Sequence, residues 1–294
     1  MSSTPQITVT PALKNILFAT DFSLCSKAAL PYARVIAEHY GSTIHLVHVL
    51  APEPMIEIPL DILPELDADR DVAKTEMKTL LSGKALGKVA HTTTVERGHI
   101  WEVLASLIQE KSVDLIVLGT HGRRGLKKVM LGSVAEEVFR MTPCPVLTVG
   151  PQAMLEGASN ASFATILFAS DLSSGSQHAL PYAVSLARAH NSHLIFLHAA
   201  SATEEGVPEV LADTERRMGT LLSTEVMKDL KPEIIATCGP AAETIVSIAK
   251  NKQANLIVMG AHRSSVPSVA AHMLGATAST VVCQAHCPVL TVRS

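Results

Sequence analysis

Short apolar runs alternate with longer amphipathic stretches along this chain. ILFAT at 16–20 is a compact apolar run and predicts a strand buried on both faces. Ser23 or Ser26 then opens a helix that runs through Tyr40, with Gly41 as its C-terminal cap. TIHLVHVL at 43–50 predicts a second strand, and a helical pattern occupies 68–82 after a Pro-rich, irregular segment at 51–66. VAHTTTVER at 89–97 predicts a third strand, HIWEVLASLIQEK at 99–111 a helix and DLIVLG at 114–119 a fourth strand. A Gly- and Arg-rich loop follows, then a helix at 133–141 and a fifth strand, PVLTVG, at 145–150. Strands and helices in this order build βαβ units with right-handed crossovers. The predicted fold class is α/β, a doubly wound five-stranded parallel sheet with helices on both faces. Such sheets bind ligands beyond the carboxyl ends of their strands, where the strand order reverses.

The whole pattern occurs twice. Residues 14–49 and 164–199 align without gaps and are identical at 15 of 36 positions, including Asp21 with Asp171, Ser23 with Ser173, ALPYA at 29–33 with 179–183, and His48 with His198. VDLIVLGTHG at 113–122 matches ANLIVMGAHR at 254–263, and CPVLTV at 144–149 recurs at 287–292. Three blocks in the same order make a tandem duplication. The expected domains are 1–150 and 151–294, with a Gly-, Ala-, Ser- and Asn-rich linker near 150–163 and a loose arm over 1–12.

The length of 294 residues supports two separate cores. Aromatics make up only 3%, so those cores must be aliphatic, as buried parallel sheets are. The net charge of −3 gives no field that favours nucleic acid or an anionic membrane. No apolar run is long enough to span a bilayer, the N-terminus lacks signal-peptide character, and five scattered cysteines read as a reducing cytoplasm.

The candidate chemistry gathers at strand ends in the first copy. Asp21 follows the first strand, Val49 ends the second, and Gly119 ends the fourth. The loop after Gly119 carries Gly122, Arg123, Arg124, Lys127 and Lys128, and Gly132 with Ser133 opens the next helix. Glycines let a backbone approach a ligand, and a helix start offers free N–H groups and a favourable dipole to phosphate. Cations beside it add charge-assisted hydrogen bonds of about 1.5–3 kcal/mol each. Asp21 could accept a hydrogen bond from a base edge or ribose. Taken singly, each feature has a plainer reading: a turn aspartate, a glycine turn, a solvated basic face.

The spacing G119-x2-G122-x9-G132-S133 resembles the ATP-binding signature of universal stress protein (UspA-like) domains. ILFATD and ILFASD resemble that family's opening strand and aspartate, and LVHV at 46–49 and CPVLTV resemble its second and last strands. The resemblance covers nearly the whole chain, twice. It implies a Rossmann-like sheet whose last strand pairs across a dimer or pseudo-dimer. It implies that Ala19, Thr20, Asp21 and Val49 frame adenine and ribose, and that Gly119, Gly122, Arg123, Gly132, Ser133 and Val134 hold ribose and phosphates. The expected ligand is ATP with Mg2+. The second copy departs from the signature: Arg263 replaces the second glycine, Ala276 stands where Ser133 does, Ala199 replaces Val49, and the loop is two residues longer. That copy is expected to bind ATP weakly, to bind something else, or to act as a structural partner.

Other chemistry is thinly supported. There is no Walker loop, nucleophile elbow, HExxH or CxxC, and no catalytic residue or metal site is assigned. Cys283-x-x-His286-Cys287 reads first as buried thiols and a helix-end histidine, and Cys25 first as a packed thiol with redox sensing as the alternative. His48 and His198 read as structural, and 51–66 as a packed loop, with a lid or partner surface as alternatives. The sequence supports an ATP-binding regulatory protein with little turnover. A slow ATPase or other ATP-consuming enzyme, or a ligand-free dimeric scaffold, are the alternatives. The apolar last strands suggest that the two copies pair with each other, with a homodimer and an unknown regulatory protein as further partners.

Overall fold

The computed structural model describes residues 11–52, 63–83, 85–120, 131–157, 161–200, 207–261 and 275–293. The chain forms two compact units, one over Leu13–Ala161 and one built on Ser162–Ser294.

The first unit runs β1 (Asn15–Ala19), α1 (Leu24–Tyr40), β2 (Thr43–Leu50), α2 (Leu63–Leu80), β3 (His91–Arg97), α3 (Ile100–Glu110), β4 (Leu115–Gly119), α4 (Ser133–Met141), β5 (Val146–Val149) and α5 (Pro151–Gly157). Its strands lie in the order β3-β2-β1-β4-β5 and pair in parallel. The chain steps outward from β1 to β3, then crosses back to β4. With right-handed crossovers this puts α1 and α2 on one face and α3 and α4 on the other. The order reverses between β1 and β4, which opens a crevice at their carboxyl ends. Ile16, Leu17, Phe18, Ile116 and Val117 are buried completely, as strands covered on both faces require.

Local signals explain the helix ends. The Ser23 side chain accepts from the Ser26 N–H and starts α1, and Gly41 closes it at φ +63°. Pro31 lies inside α1 and costs that helix one internal hydrogen bond. The stretch expected to be a linker is helical over Pro151–Gly157, where the Met154 N–H bonds the Gly150 carbonyl and Ala153 is buried. Proline at the first helical position is preset for this geometry, but seven residues are too few to display a helical period. The irregular segment expected at 51–66 falls largely outside the described residues. Helix α2 begins at Leu63, before the expected start at 68.

The second unit repeats the plan: β6 (Thr165–Ala169), α6 (Ser174–Gln177), α7 (Leu180–His190), β7 (His193–Ala200), α8 (Val207–Leu221), α9 (Thr224–Asp229), β8 (Glu233–Cys238), α10 (Ala241–Asn251), β9 (Leu256–Ala261), α11 (Ala276–Gln284) and β10 (Val289–Arg293). Its parallel order is β8-β7-β6-β9-β10. The counterpart of α1 is broken into α6 and α7. Gly175 replaces Cys25 in its first turn and weakens that turn, and Pro181 sits at the start of the second piece. Among the described residues, no helix is long and apolar enough to cross a membrane.

Candidate functional site

A cavity of about 440 Å³ opens at the crevice of the first unit. Ala19, Thr20 and Asp21 enter it from the end of β1, Val47, His48 and Val49 from β2, and Leu118, Gly119 and Thr120 from β4. Gly132, Ser133, Val134 and Ala135 enter from the start of α4, and Ile100 and Leu104 of α3 form an apolar wall. Eight residues singled out from the sequence therefore surround one space: Ala19, Thr20, Asp21, Val49, Gly119, Gly132, Ser133 and Val134. Gly122 and Arg123, with Arg124, Lys127 and Lys128, lie outside the described residues. Ile100, Leu104 and Leu118 were not singled out for the site, because an apolar position facing a cavity reads in sequence like one facing the core, and Ser26 was read only as a candidate helix start.

The turn after β1 is fixed by a dense polar network. The Thr20 N–H bonds the Val47 carbonyl at 3.0 Å, and the His48 Nδ1–H donates to the Thr20 carbonyl at 2.7 Å. These two bonds tie the end of β1 to β2, which gives His48 the structural task expected of it. The Thr20 hydroxyl contacts the Ser26 hydroxyl at 3.0 Å and accepts from the Phe22 N–H at 2.9 Å. Phe22 sits at φ +61°, a conformation costly for a bulky residue, with its ring centroid 4.5 Å from that of His48. The second unit repeats the backbone turn and its hydrogen bonds, with Leu172 at φ +63°, the Ser170 and Ser176 hydroxyls 2.7 Å apart, and His198 Nδ1 2.7 Å from the Ser170 carbonyl.

Asp21 is half-buried, and its Oδ1 accepts the Ser23 N–H at 3.0 Å. Burial by itself raises the pKa of this carboxyl. Hydrogen bonds from the Ser23 hydroxyl and amide and from Ser26 outweigh burial and hold it below the ordinary value. The anion is thus the native form. A depressed folded pKa adds stability that is complete above the unfolded carboxylate value, near pH ~4, and is lost as pH falls through the folded value. Asp21→Ala is expected to cost about 1 kcal/mol at pH 7. Urea titrations at pH 7 and pH 3 should show the gap to wild type shrinking at the lower pH. An equal gap at both would mean the carboxylate charge contributes nothing.

Packing places a requirement of its own on Gly119, and Gly132 opens α4 as expected. A Cβ on Gly119 would lie 2.5 Å from the Ser26 nitrogen and 2.7 Å from the Cys25 carbonyl carbon. Gly119 is therefore required by the packing of β4 against α1. The freed space faces that helix backbone. Gly132 has φ −67°, an ordinary extended value, and serves as the N-cap of α4 without a side-chain cap bond. Its own N–H bonds the Thr120 carbonyl at 2.8 Å. The helix thus presents its first-turn amides and dipole to the cavity without a side chain of the cap residue across them.

The second unit has the same crevice at half the size, about 220 Å³. Asp171 accepts the Ser173 N–H at 3.0 Å and the Ser173 hydroxyl at 2.6 Å, which is the turn role. Ala199 and Ala276 line it where Val49 and Ser133 line the first, and a Cβ on Gly260 would lie 2.6 Å from Ser176 Cα, as one on Gly119 would lie against α1. Arg263 and the rest of its longer loop lie outside the described residues.

Four of the five cysteines are buried, and Cys238 is half-buried. Cys25 is 1% exposed with its Sγ 3.9 Å from Met154 Sδ. Burial pushes the Cys283 thiol up, and Cys287 is also buried. Among the described residues, no group of three or more His, Cys, Asp or Glu could hold a metal ion.

The model of the Universal stress protein family matches residues 12–150 and again 162–293. The chain belongs to the universal stress protein family. Universal stress protein MJ0531 of Methanocaldococcus jannaschii is 31% identical over 139 residues, 46% of this chain and 81% of that protein. A universal stress protein structure from Archaeoglobus fulgidus covers 95% of this chain and 98% of its own at TM-score 0.69 and 20% identity, which speaks for the tandem fold. Another solved universal stress protein, in complex with cAMP, is 23% identical over 45% of this chain and 98% of its own, with TM-score 0.34. As a tandem universal stress protein, this chain has two Rossmann-like α/β units with unequal crevices.

Proposed function

We propose that the first domain binds ATP, with Mg2+ carried on the phosphates, and that the chain acts as a nucleotide-dependent regulatory protein with little or no turnover. The observation that carries this reading is the convergence on one cavity of about 440 Å³ of an ionised aspartate, an apolar wall and a helix start free of a capping side chain. That volume lies within the roughly 300–1,000 Å³ of small-molecule sites. In this reading Ile100, Leu104 and Val49 flank the base, Asp21 accepts from base or ribose, and Ser133 and Val134 offer amides to phosphate. Gly122 and Arg123 complete the phosphate side on the strength of the family signature.

Low turnover follows from the carboxylate. Asp21 is the one carboxylate among the described residues lining the cavity, and its depressed pKa makes it a weak proton acceptor at neutral pH. It orients well and activates water poorly. The second domain, with its smaller crevice and Ala276 at the helix start, is assigned a weaker affinity or a structural role.

Calorimetric titration of ATP with magnesium into wild type and Gly122→Arg tests the reading, with cAMP titrated alongside. Gly122→Arg copies the second domain's residue into the first. The expected result is one site per chain, weakened ~100-fold or more in the variant, the equivalent of losing one or two charge-assisted hydrogen bonds. A folded wild type that takes up no ATP would discard the nucleotide reading in favour of a scaffold. Phosphate release at an ordinary enzymatic rate would favour the ATPase.

A further inference from the structure

Strand β3 stands at the edge of the first sheet, and a groove of about 770 Å³ runs between it and α2. Every residue from His91 to Glu96 lines this groove. Successive strand residues point to opposite faces, so a surface touching all of them follows the strand's edge. The hydrogen bonds to β2 say which groups are open there. The Ile44 N–H bonds the Ala90 carbonyl and the Gly98 N–H bonds the Leu50 carbonyl. Backbone groups alternate sides along a strand, so even-numbered residues face β2 and His91, Thr93, Val95 and Arg97 turn theirs outward. Arg70 Nη2 confirms this by reaching the Val95 carbonyl at 3.4 Å.

Above that edge stands a row of cations. Arg70, Lys74 and Lys78 recur every fourth residue of α2, share one helix face, are exposed, and line the groove. Lys74 meets Asp71 at 3.3 Å on the same helix, an exposed pairing that leaves it largely available. Glu96 is the single carboxylate among the residues lining the groove.

The second unit provides an internal comparison. His45 pairs with Thr92 and Ile195, in the same place in its strand, pairs with Glu233. That correspondence sets buried Met77 on buried Met218 and buried Ala73 on buried Thr214. Arg70, Lys74 and Lys78 then correspond to Leu211, Glu215 and Gly219. The fold does not require the basic row; the first unit alone carries it.

We propose that the groove between α2 and β3 binds an extended acidic peptide segment of a partner protein, which adds as a strand to the β3 edge while Arg70, Lys74 and Lys78 engage its carboxylates. Main-chain bonds to Thr93 and Val95 supply affinity, and the cations select acidic side chains that project toward α2. This surface is separate from the nucleotide crevice, so its test stands apart from that of ATP binding.

The probe is a fluorescein-labelled peptide alternating Glu and Val, as long as the seven residues of β3, read by fluorescence anisotropy on the full chain. Saturable binding is expected at low salt, weakening as ionic strength rises. Lys74→Glu with Lys78→Glu should weaken it by roughly tenfold or more, since both side chains are exposed and the fold should persist. Thr93→Pro keeps every cation and removes an outward N–H that β2 does not use, so it should abolish binding with the circular dichroism spectrum unchanged. If that variant unfolds, a peptide N-methylated on alternate amides replaces it, and loss of binding is again expected. Undiminished binding to Thr93→Pro or of the N-methylated peptide, displaced by tripolyphosphate, would show a mere polyanion site and overturn the proposal. So would failure of the folded wild type to bind, including the case where the charge-reversed chain self-associates and the row proves to be a guard on the edge.

Discussion

Gly119→Ala should lower the stability of the first unit by about 3 kcal/mol or more, a fall in Tm on the order of 10 °C. The added methyl would meet the Ser26 nitrogen at 2.5 Å and the Cys25 carbonyl carbon at 2.7 Å. Both are backbone atoms, so no side chain can swing away. The first turn of α1 resists displacement too, because the Ser26 N–H is bonded to the Ser23 hydroxyl at 3.2 Å and the Lys27 N–H to the Ser23 carbonyl at 2.9 Å. Moving α1 would break its own cap. Gly41→Ala is the control: its φ of +63° strains an L-residue, but a Cβ there finds nothing within 4 Å. Its cost should stay near ~1 kcal/mol. Urea denaturation of both variants measures the contrast. Equal losses would mean that α1 can shift and that the close approach is soft. The substitution also moves the turn that presents Asp21, so lost ATP binding in Gly119→Ala would report folding, which is why Gly122 is the better probe.

The second large effect is expected at Phe168. This side chain is 1% exposed in β6, opposite Phe196 of β7, with ring centroids 4.9 Å apart. Phe168→Ala removes a buried ring and leaves a void, at a cost of about 3–5 kcal/mol. It also loses an aromatic pair of about 0.5–1.5 kcal/mol. Phe18, its counterpart in β1, is opposite Leu46 and lacks that aromatic neighbour, so Phe18→Ala should lie toward the lower end of the same range. Aromatics are scarce here at 3% of the chain, and each buried ring fills volume that aliphatic neighbours cannot recover. Chemical denaturation of the two variants decides it: a Phe168→Ala loss below ~1 kcal/mol would mean that the aliphatic core collapses into the space.

Much of the fold could be read from patterning. ILFAT, TIHLVHVL and DLIVLG are strands because compact β-branched runs can bury both faces only in a parallel sheet. The helix expected at 133–141 is Ser133–Met141. The caps Ser23 and Gly41 carried their own chemistry in the sequence. The segment 150–163 was less legible: α5 takes its stability from Ala153 and Met154 packing on α1, a contact no local pattern encodes.

The candidate site divides along the same line. The sequence by itself determined the duplication, the α/β class and the identity of the residues at the strand ends, because those follow from periodicity and spacing along one dimension, and it pointed to the family through the resemblance of its motifs. Only the tertiary structure decided what each residue is for. Gly119 yields its space to α1, Asp21 has its pKa held below the ordinary value by the Ser23 and Ser26 groups folded over it, and Ile100 and Leu104 wall a cavity. The edge of β3 and the cations over it are likewise invisible in sequence, since residues 70–78 and 91–96 become one surface only when α2 crosses back over the sheet. Burial, close approach and charge depend on what lies across space, and that is set by packing.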